Sequence, residues 1–136
     1  MRFVIDASVT LGFFFEEDDF RLVEQVADIL TGDARAAAPA IWWFEIRNAM
    51  LIGIRRKRTT EDLVRQFLGQ LAFAAIDIAE QPDDGRVLDL APRHRPTFYD
   101  ACYLELAVRT NYPLATLDRA LVEAAKAENV RLIGTP

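Results

Sequence analysis

Four carboxylates are the strongest candidates for chemistry in this sequence: Asp6, Glu45, Asp100 and Asp118. Asp6 and Asp118 directly follow the apolar runs "RFVI" and "PLATL", where an unpaired charge is costly to bury. Two ionised carboxylates ~5 Å apart repel by roughly 3 kcal/mol at an effective dielectric constant of about 20. A cluster of such groups therefore requires a cation. Oxygen ligands suit Mg²⁺ or Mn²⁺, whereas zinc favours His or Cys.

A hard divalent cation can activate water and stabilise the charge that develops on a phosphodiester during its cleavage. Metal-dependent hydrolysis of a nucleic acid is therefore the leading reaction. The single histidine, His94, lies in a basic segment and is interpreted as a surface or phosphate-contacting residue rather than a ligand. The single cysteine, Cys102, lies in the apolar "DACYLELA" and is interpreted as a core residue rather than a nucleophile.

The acids can act together only if the elements that carry them end at one place. Short β-like runs alternate with longer segments of helical periodicity, which indicates βαβ units and a mostly parallel sheet with helices on both faces. Ligands of open α/β sheets bind at the carboxyl ends of the strands, and the four acids lie near such ends. We therefore expect one acidic site there. The predicted strands are "RFVID", "ARAAA", "AAIDI", "PLATL" and "VRLIG".

Helical spacing and capping residues predict the helices between these strands. The first is a short helix opened by Ser8, and Thr59 is the expected cap of the helix that starts at Thr60. Pro82 is expected to begin a later helix and Pro92 to mark its end. The longer predicted helices cover 19–30, 40–56, 60–73, 82–92, 97–110 and 118–129.

The predicted helical pair at 40–73 is long for a crossover, and we expect it to project as an arm. Its apolar residues exceed what one face of a small sheet needs, which favours a self-association surface and a homodimer, with simple core packing as the alternative. The residues concerned are Trp42, Trp43, Phe44, Met50, Ile52 and Ile54.

Length and composition narrow the class of protein. The 136 residues suit one domain, spanning 1–136. No segment approaches the roughly 18 uncharged apolar residues that a membrane span requires. The acidic "EEDD" stands where a signal peptide would need its cleavage site, and a lone cysteine favours a reducing compartment. We therefore expect a cytoplasmic protein without a membrane partner.

Four segments carry a resemblance to a known family: "VIDASV", "FEIRNAM", "FYDACYLELA" and "ATLDRAL", in this order along the chain. With them the sequence resembles the PIN domain, and within it the small VapC-like ribonuclease toxins of bacterial toxin–antitoxin pairs. The resemblance covers essentially the whole chain. It implies a three-layer α/β/α fold with a five-stranded parallel sheet of order 3-2-1-4-5.

The same resemblance implies a function and assigns the acids to it. Asp6, Glu45 and Asp100 would bind Mg²⁺ or Mn²⁺ and carry catalysis, with Asp118 as a fourth member. The implied activity is endonucleolytic cleavage of single-stranded or loop RNA, which would inhibit translation and be restrained by a cognate antitoxin. The sequence does not identify the RNA.

Four polar residues beside the acids are candidates for supporting roles. Ser8 and Thr116 match small hydroxyl positions next to the first and last acids, where they could orient a carboxylate or water. Ser8 could equally be a helix cap, and Thr116 an ordinary strand residue. Asn48 lies three residues after Glu45 and so on the same helical face. Thr97 could support the site or merely cap its helix.

Two basic islands interrupt an otherwise acidic chain, whose net charge of −5 argues against a general polyanion binder. They suit an RNA backbone, because phosphate contacts supply affinity without sequence information. The first island also ends a helix, where cations are favoured, and could equally meet an acidic antitoxin. The islands contain Arg55, Arg56, Lys57 and Arg58, and then Arg93 and Arg95.

Other classes of protein fit less well. A haloacid-dehalogenase-type phosphatase needs a second Asp two residues after the first, where this chain has Ser8. A phosphate-receiver domain needs paired acids after its first strand, and this chain lacks them. Its acceptor Asp after the third strand has no clear match either, because Asp77 falls inside a strand that we expect at a sheet edge, with its side chain in water. The glycine-rich motifs of nucleotide-binding folds are absent. A PIN-like binding module without turnover is the strongest non-enzyme alternative.

Overall fold

The computed structural model describes residues 1–15, 20–94 and 97–134. In these residues a parallel sheet has the strand order β3-β2-β1-β4. The central strand β1 buries Phe3, Val4 and Ile5 completely, as expected for a strand covered on both faces. The strands are β1 (Arg2–Ile5), β2 (Arg35–Ala38), β3 (Ile76–Ile78) and β4 (Leu114–Ala115).

The predicted fifth strand is reduced to a single parallel bridge between Leu114 and Leu132. It lies beside β4, where the order 3-2-1-4-5 requires it. Two features keep it short. The backbone adopts left-handed conformations at Asn129 and Gly134, with φ of 59° and 84°, and so bends at both ends of the extended stretch. The neighbouring strand β4 offers only two residues for pairing.

Helices fill the connections, as the alternating pattern predicts. The described residues form α1 (Ala7–Gly12), α2 (Phe20–Leu30), α3 (Ala40–Arg55), α4 (Glu61–Leu71), α5 (Asp84–His94), α6 (Phe98–Thr110) and α7 (Arg119–Ala127). The predicted start of α2 at Asp19 lies outside the described residues. None of these helices combines the length and the apolar character needed to cross a membrane.

Three helix boundaries differ from the prediction. Thr60, not Thr59, caps α4, because its hydroxyl accepts the Leu63 N–H at 3.3 Å. Helix α5 starts at Asp84 rather than Pro82. The side chain of the preceding residue, Asp83, accepts the Arg86 N–H at 3.1 Å and so binds the first turn of the helix. Helix α5 also continues past Pro92 to His94, although Pro92 has no N–H to donate within the helix.

The hydrophobic core joins the sheet to α3, α6 and α7. Helix α6 is buried without interruption from Ala101 to Ala107, so it is held firmly beside β1. Helix α3 buries Ile46 and Met50 in the same core, whereas α4 has Val64 as its buried residue and lies further out.

The predicted self-association surface is divided by this packing. Trp42 is buried, and its indole N–H donates to the Thr10 hydroxyl at 2.8 Å. Met50 is also buried, so neither residue belongs to a surface. Trp43 and Phe44 remain exposed on the other side of α3.

Candidate active site

The four predicted acids line one open cavity of about 320 Å³ beyond the carboxyl ends of β1 and β4. Asp6 directly follows β1, and Asp118 is the third residue after β4. Glu45 is in the second turn of α3, and Asp100 is in the first turn of α6. The lining consists of Asp6, Ala7, Ser8, Leu11, Glu45, Asn48, Ala49, Ile52, Asp100 and Asp118. No lysine or arginine of the described chain is among these residues.

Asp6 is the most buried of the four acids that line the cavity, with 5% of its surface exposed. Its Oδ2 accepts two hydrogen bonds from hydroxyl groups, at 2.8 Å from Ser8 and at 2.6 Å from Thr116. Its backbone N–H donates to Ala115 and so continues the pairing of β1 with β4. The carboxylate is therefore fixed in direction by backbone and side chains together.

The two hydroxyl groups also bind the loop that leads into α7. Ser8 Oγ accepts the Leu117 N–H at 2.9 Å, and Thr116 Oγ1 accepts the Asp118 N–H at 3.0 Å. Ser8 does not cap α1, because that helix starts at Ala7 and Asp6 takes the cap position. Both hydroxyls thus connect the first acid to the segment that carries the last.

Asp118 lines the cavity but has a structural role as well. Its Oδ1 accepts the Leu121 N–H at 3.0 Å and caps α7. One oxygen of this carboxylate is therefore engaged in holding the helix.

Glu45 is held by a residue that the sequence interpretation missed. The Tyr103 hydroxyl donates to Glu45 Oε1 at 2.6 Å, and Tyr103 itself is completely buried. Tyr103 lies three residues after Asp100 on α6, so the two share a helical face. The three-residue spacing from Asp100 could have indicated that Tyr103 faces the site, but the apolar segment "DACYLELA" is typical of a core helix.

The two remaining supporting candidates differ. Thr97 caps α6, since its hydroxyl accepts the Asp100 N–H at 3.1 Å. It therefore positions the helix that carries Asp100 rather than the carboxylate itself. Asn48 lines the cavity one turn after Glu45 on α3.

The acids affect one another electrostatically. Burial raises the pKa of the Asp6 carboxyl, the hydrogen bonds from Thr116 and Ser8 oppose that shift, and the charge of Asp100 adds to it. Burial also raises the pKa of Glu45; the Tyr103 hydrogen bond opposes this, and the charges of Asp6 and Asp100 reinforce it. The carboxylates in the cavity therefore repel one another when they are ionised.

The carboxylate oxygens that line the cavity are the kind of ligand that a hard cation such as Mg²⁺ prefers. In the described chain, however, no three Asp, Glu, His or Cys side chains stand close enough together to form a ready metal site. The cavity brings the four acids to one place without bringing them into one coordination sphere. Mg²⁺ retains several waters and needs only one or two direct carboxylates, so such a loose arrangement still fits it.

Other reactive or charged residues lie apart from the cavity. Burial, with the charges of Glu105 and Glu45, raises the pKa of the Cys102 thiol to about 11, so it stays protonated at neutral pH. Asp77 lies on the edge strand β3, half-exposed, where it pairs with Arg35 at 2.7 Å. The Arg35 hydrogen bond lowers the pKa of Asp77.

The basic islands are also outside the cavity lining. The first lies at the end of α3, where Arg58 stacks over the Phe15 ring at 4.7 Å and Lys57 has a left-handed φ of 58°. In the second, Arg93 pairs with Glu128 at 2.8 Å. Arg95 lies outside the described residues.

A parallel sheet of this order, with acids gathered beyond the carboxyl ends of its central strands, defines an α/β protein of the PIN type. Residues 3–127 match the model of the PIN domain, and the chain belongs to that family.

The chain aligns with most of the length of several proteins of known name or structure. It is 32% identical over 132 residues to Ribonuclease VapC3 of Pyrobaculum aerophilum, covering 90% of this chain and 94% of that protein. VapBC2 from Rickettsia felis, bound to a DNA fragment from its promoter, has a TM-score of 0.63 at 11% identity, covering 97% of both chains. A toxin–antitoxin complex from Klebsiella pneumoniae has a TM-score of 0.58 at 17% identity, covering 85% of this chain and 86% of that one. These two likenesses establish the fold.

Proposed function

We propose that this protein is a Mg²⁺- or Mn²⁺-dependent endoribonuclease that hydrolyses phosphodiester bonds of single-stranded or loop RNA. The observation that carries the proposal is the acid cavity: Asp6, Glu45, Asp100 and Asp118 line it, and no described lysine or arginine balances them there. Similarity to a protein named as a ribonuclease supports the choice of RNA.

Asp6, Glu45 and Asp100 would hold the metal, directly or through water, with Asp118 as a fourth member. The bound cation would polarise a water molecule and neutralise charge that develops on the phosphate. The residues of the chain supply orientation. Ser8 and Thr116 fix the Asp6 carboxylate, and Asn48 can hydrogen-bond to water or substrate beside Glu45.

Contacts with the rest of the RNA are assigned to the basic islands. Arg55, Arg56, Lys57 and Arg58 lie at the end of α3, the helix that carries Glu45, and Arg93 and Arg95 form the second group. Phosphate contacts of this kind position a strand without reading its sequence. An acidic partner protein could use the same first island.

We infer that the protein is the toxin of a toxin–antitoxin pair and inhibits translation by RNA cleavage. The names of its relatives support this, since one structural neighbour is a toxin–antitoxin complex and another is VapBC2. Growth arrest on expression, relieved by a co-expressed neighbouring gene, is the expected result. Unaffected growth would contradict it. A cytoplasmic location stays a prediction.

We also propose a homodimer through the exposed aromatic residues of α3 and α6. Trp43, Phe44, Phe98 and Tyr99 are each exposed by 46% or more of their surface. Trp43 and Phe44 belong to the predicted surface, whereas Phe98 and Tyr99 take the place of its buried members Trp42 and Met50. Aromatic residues are enriched at interfaces between proteins. Light scattering should give twice the chain mass, and Phe44→Ser should reduce it to the mass of one chain.

The central test is cleavage of single-stranded and hairpin RNA by purified protein, with and without Mn²⁺. Asp6→Asn removes a cavity charge, whereas Asp77→Asn removes a surface charge and is the matched control. We expect Mn²⁺-dependent cleavage by the wild type and Asp77→Asn, and a loss of about 100-fold or more in Asp6→Asn. Equal cleavage by Asp6→Asn, or cleavage by the wild type in chelator, would contradict the proposal.

One observation favours a binding module without turnover: the acids do not form a ready metal site in the described residues. In that case the wild type would bind single-stranded RNA in the same assay but leave it intact at every Mn²⁺ concentration.

A further inference from the structure

Tyr103 occupies an unusual place for a core residue. Its ring is completely buried in α6, yet its hydroxyl reaches Glu45 Oε1 at 2.6 Å. This hydrogen bond joins α6 to α3, across 58 positions of the chain. A phenylalanine would fill the same space, so packing alone does not account for the hydroxyl.

The donor is held much more firmly than the acceptor. Helix α6 is buried from Ala101 to Ala107, capped by Thr97 at its start and ended by Asn111 in a left-handed conformation. Glu45, by contrast, is a long side chain on the cavity wall, and such side chains lose substantial rotamer entropy when they are fixed. The hydrogen bond therefore restricts the carboxylate and hardly affects the tyrosine.

The arrangement parallels that of the first acid. Asp6 receives hydroxyl groups from Ser8 and Thr116, and Glu45 receives one from Tyr103. In each case a neutral donor binds one oxygen of the carboxylate. A carboxylate has two oxygens, so the second stays suitable for a cation.

The tyrosine also remains a donor under ordinary conditions. Burial first, and then the charge of Asp6, raises the pKa of Tyr103 far above its usual range. A tyrosine hydroxyl, whose ordinary pKa is about 10, is in any case protonated at neutral pH and able to donate.

We propose that Tyr103 is a positioning residue that holds Glu45 Oε1 so that the other carboxylate oxygen is presented to a divalent cation in the acid cavity. This inference rests on the proposed metal-dependent function. Residues that orient metal ligands typically change metal affinity by 10–100-fold when they are replaced.

The test is Mn²⁺ binding to Tyr103→Phe, measured by calorimetry without RNA. We expect the dissociation constant to rise by about 10-fold or more. Tyr112→Phe, a partly buried tyrosine away from the cavity, is the matched control and should bind as the wild type does. Melting in chelator checks that both variants are folded.

A double-mutant cycle with Glu45→Gln separates positioning from general loosening. If Tyr103 acts through Glu45, Tyr103→Phe should add less than about 2-fold to the effect of Glu45→Gln. An equal loss in both backgrounds, or unchanged Mn²⁺ binding by Tyr103→Phe, would overturn the assignment and leave the nuclease proposal intact. Absence of Mn²⁺ binding by the wild type would overturn the metal-dependent function, and the assignment with it.

Discussion

Two regions of this protein treat a buried carboxylate in opposite ways. On α6, Glu105 is completely buried and pairs with Arg109 of the same helix at 2.9 Å. In the cavity, Asp6 is almost as buried, but the described side chains that donate to its carboxylate are the neutral hydroxyl groups of Ser8 and Thr116. The first region contains its own cation. The second lacks one among the described residues that line it.

The difference indicates what each region is for. An internal ion pair is complete in the folded chain and needs nothing from outside. The cavity instead combines several acids whose charges oppose one another, and neutral donors that fix direction without cancelling charge. Such a region is poorly suited to stabilising the fold and well suited to binding a cation from solution.

The largest effect is expected from breaking the internal pair. Arg109→Met would leave Glu105 buried without a cation, which typically costs about 3–5 kcal/mol. Urea unfolding in chelator measures this loss. Arg35→Met at the half-exposed Asp77 pair is the matched control and should cost less than about 1 kcal/mol. Similar losses in both variants would remove the contrast between buried and exposed pairs.

An opposite sign is expected in the cavity. Asp100→Asn removes a charge that raises the pKa of both Asp6 and Glu45, so it relieves repulsion in the metal-free protein. We expect the variant to be more stable by about 1 kcal/mol, with a melting temperature roughly 3–5 °C higher. A lower melting temperature in chelator would show that Asp100 is paired favourably rather than repelled.

The smallest effect is a pH dependence with a definite sign. Folding raises the pKa of Asp6 above its ordinary value of 3.8, so the folded state binds this proton more tightly than the unfolded state. The associated stability is complete below that ordinary value and is lost as the pH rises through the raised pKa. The wild type should therefore lose stability relative to Asp6→Asn as the pH rises above about 4 in chelator. Parallel melting curves would contradict this.

The acids could be predicted from sequence because their positions follow from strand ends. A buried strand such as β1 is recognisable from its apolar run, and the carboxyl ends of parallel strands must meet at one edge of the sheet. The prediction that Asp77 lies at a sheet edge is likewise confirmed, since it is on the edge strand β3 and does not line the cavity.

Most of the remaining features depend on contacts that no local pattern contains. Tyr103 is typical of an apolar helix, and only packing shows that its hydroxyl reaches Glu45. Glu105 and Arg109 have the (i, i+4) spacing of a helical ion pair, but only the structure shows that Glu105 is completely buried. Trp42 was expected at a surface, but a hydrogen bond to Thr10 accommodates its indole inside the core. The shortness of the fifth strand depends on backbone conformations at Asn129 and Gly134.

The most direct test of the cation-binding cavity is anomalous diffraction from crystals grown with Mn²⁺, with Asp6→Asn as the comparison. An anomalous peak in the cavity between Asp6, Glu45 and Asp100 is the predicted result, with no peak there in the variant. A cavity without a peak in the wild type, or the same peak in Asp6→Asn, would contradict the account.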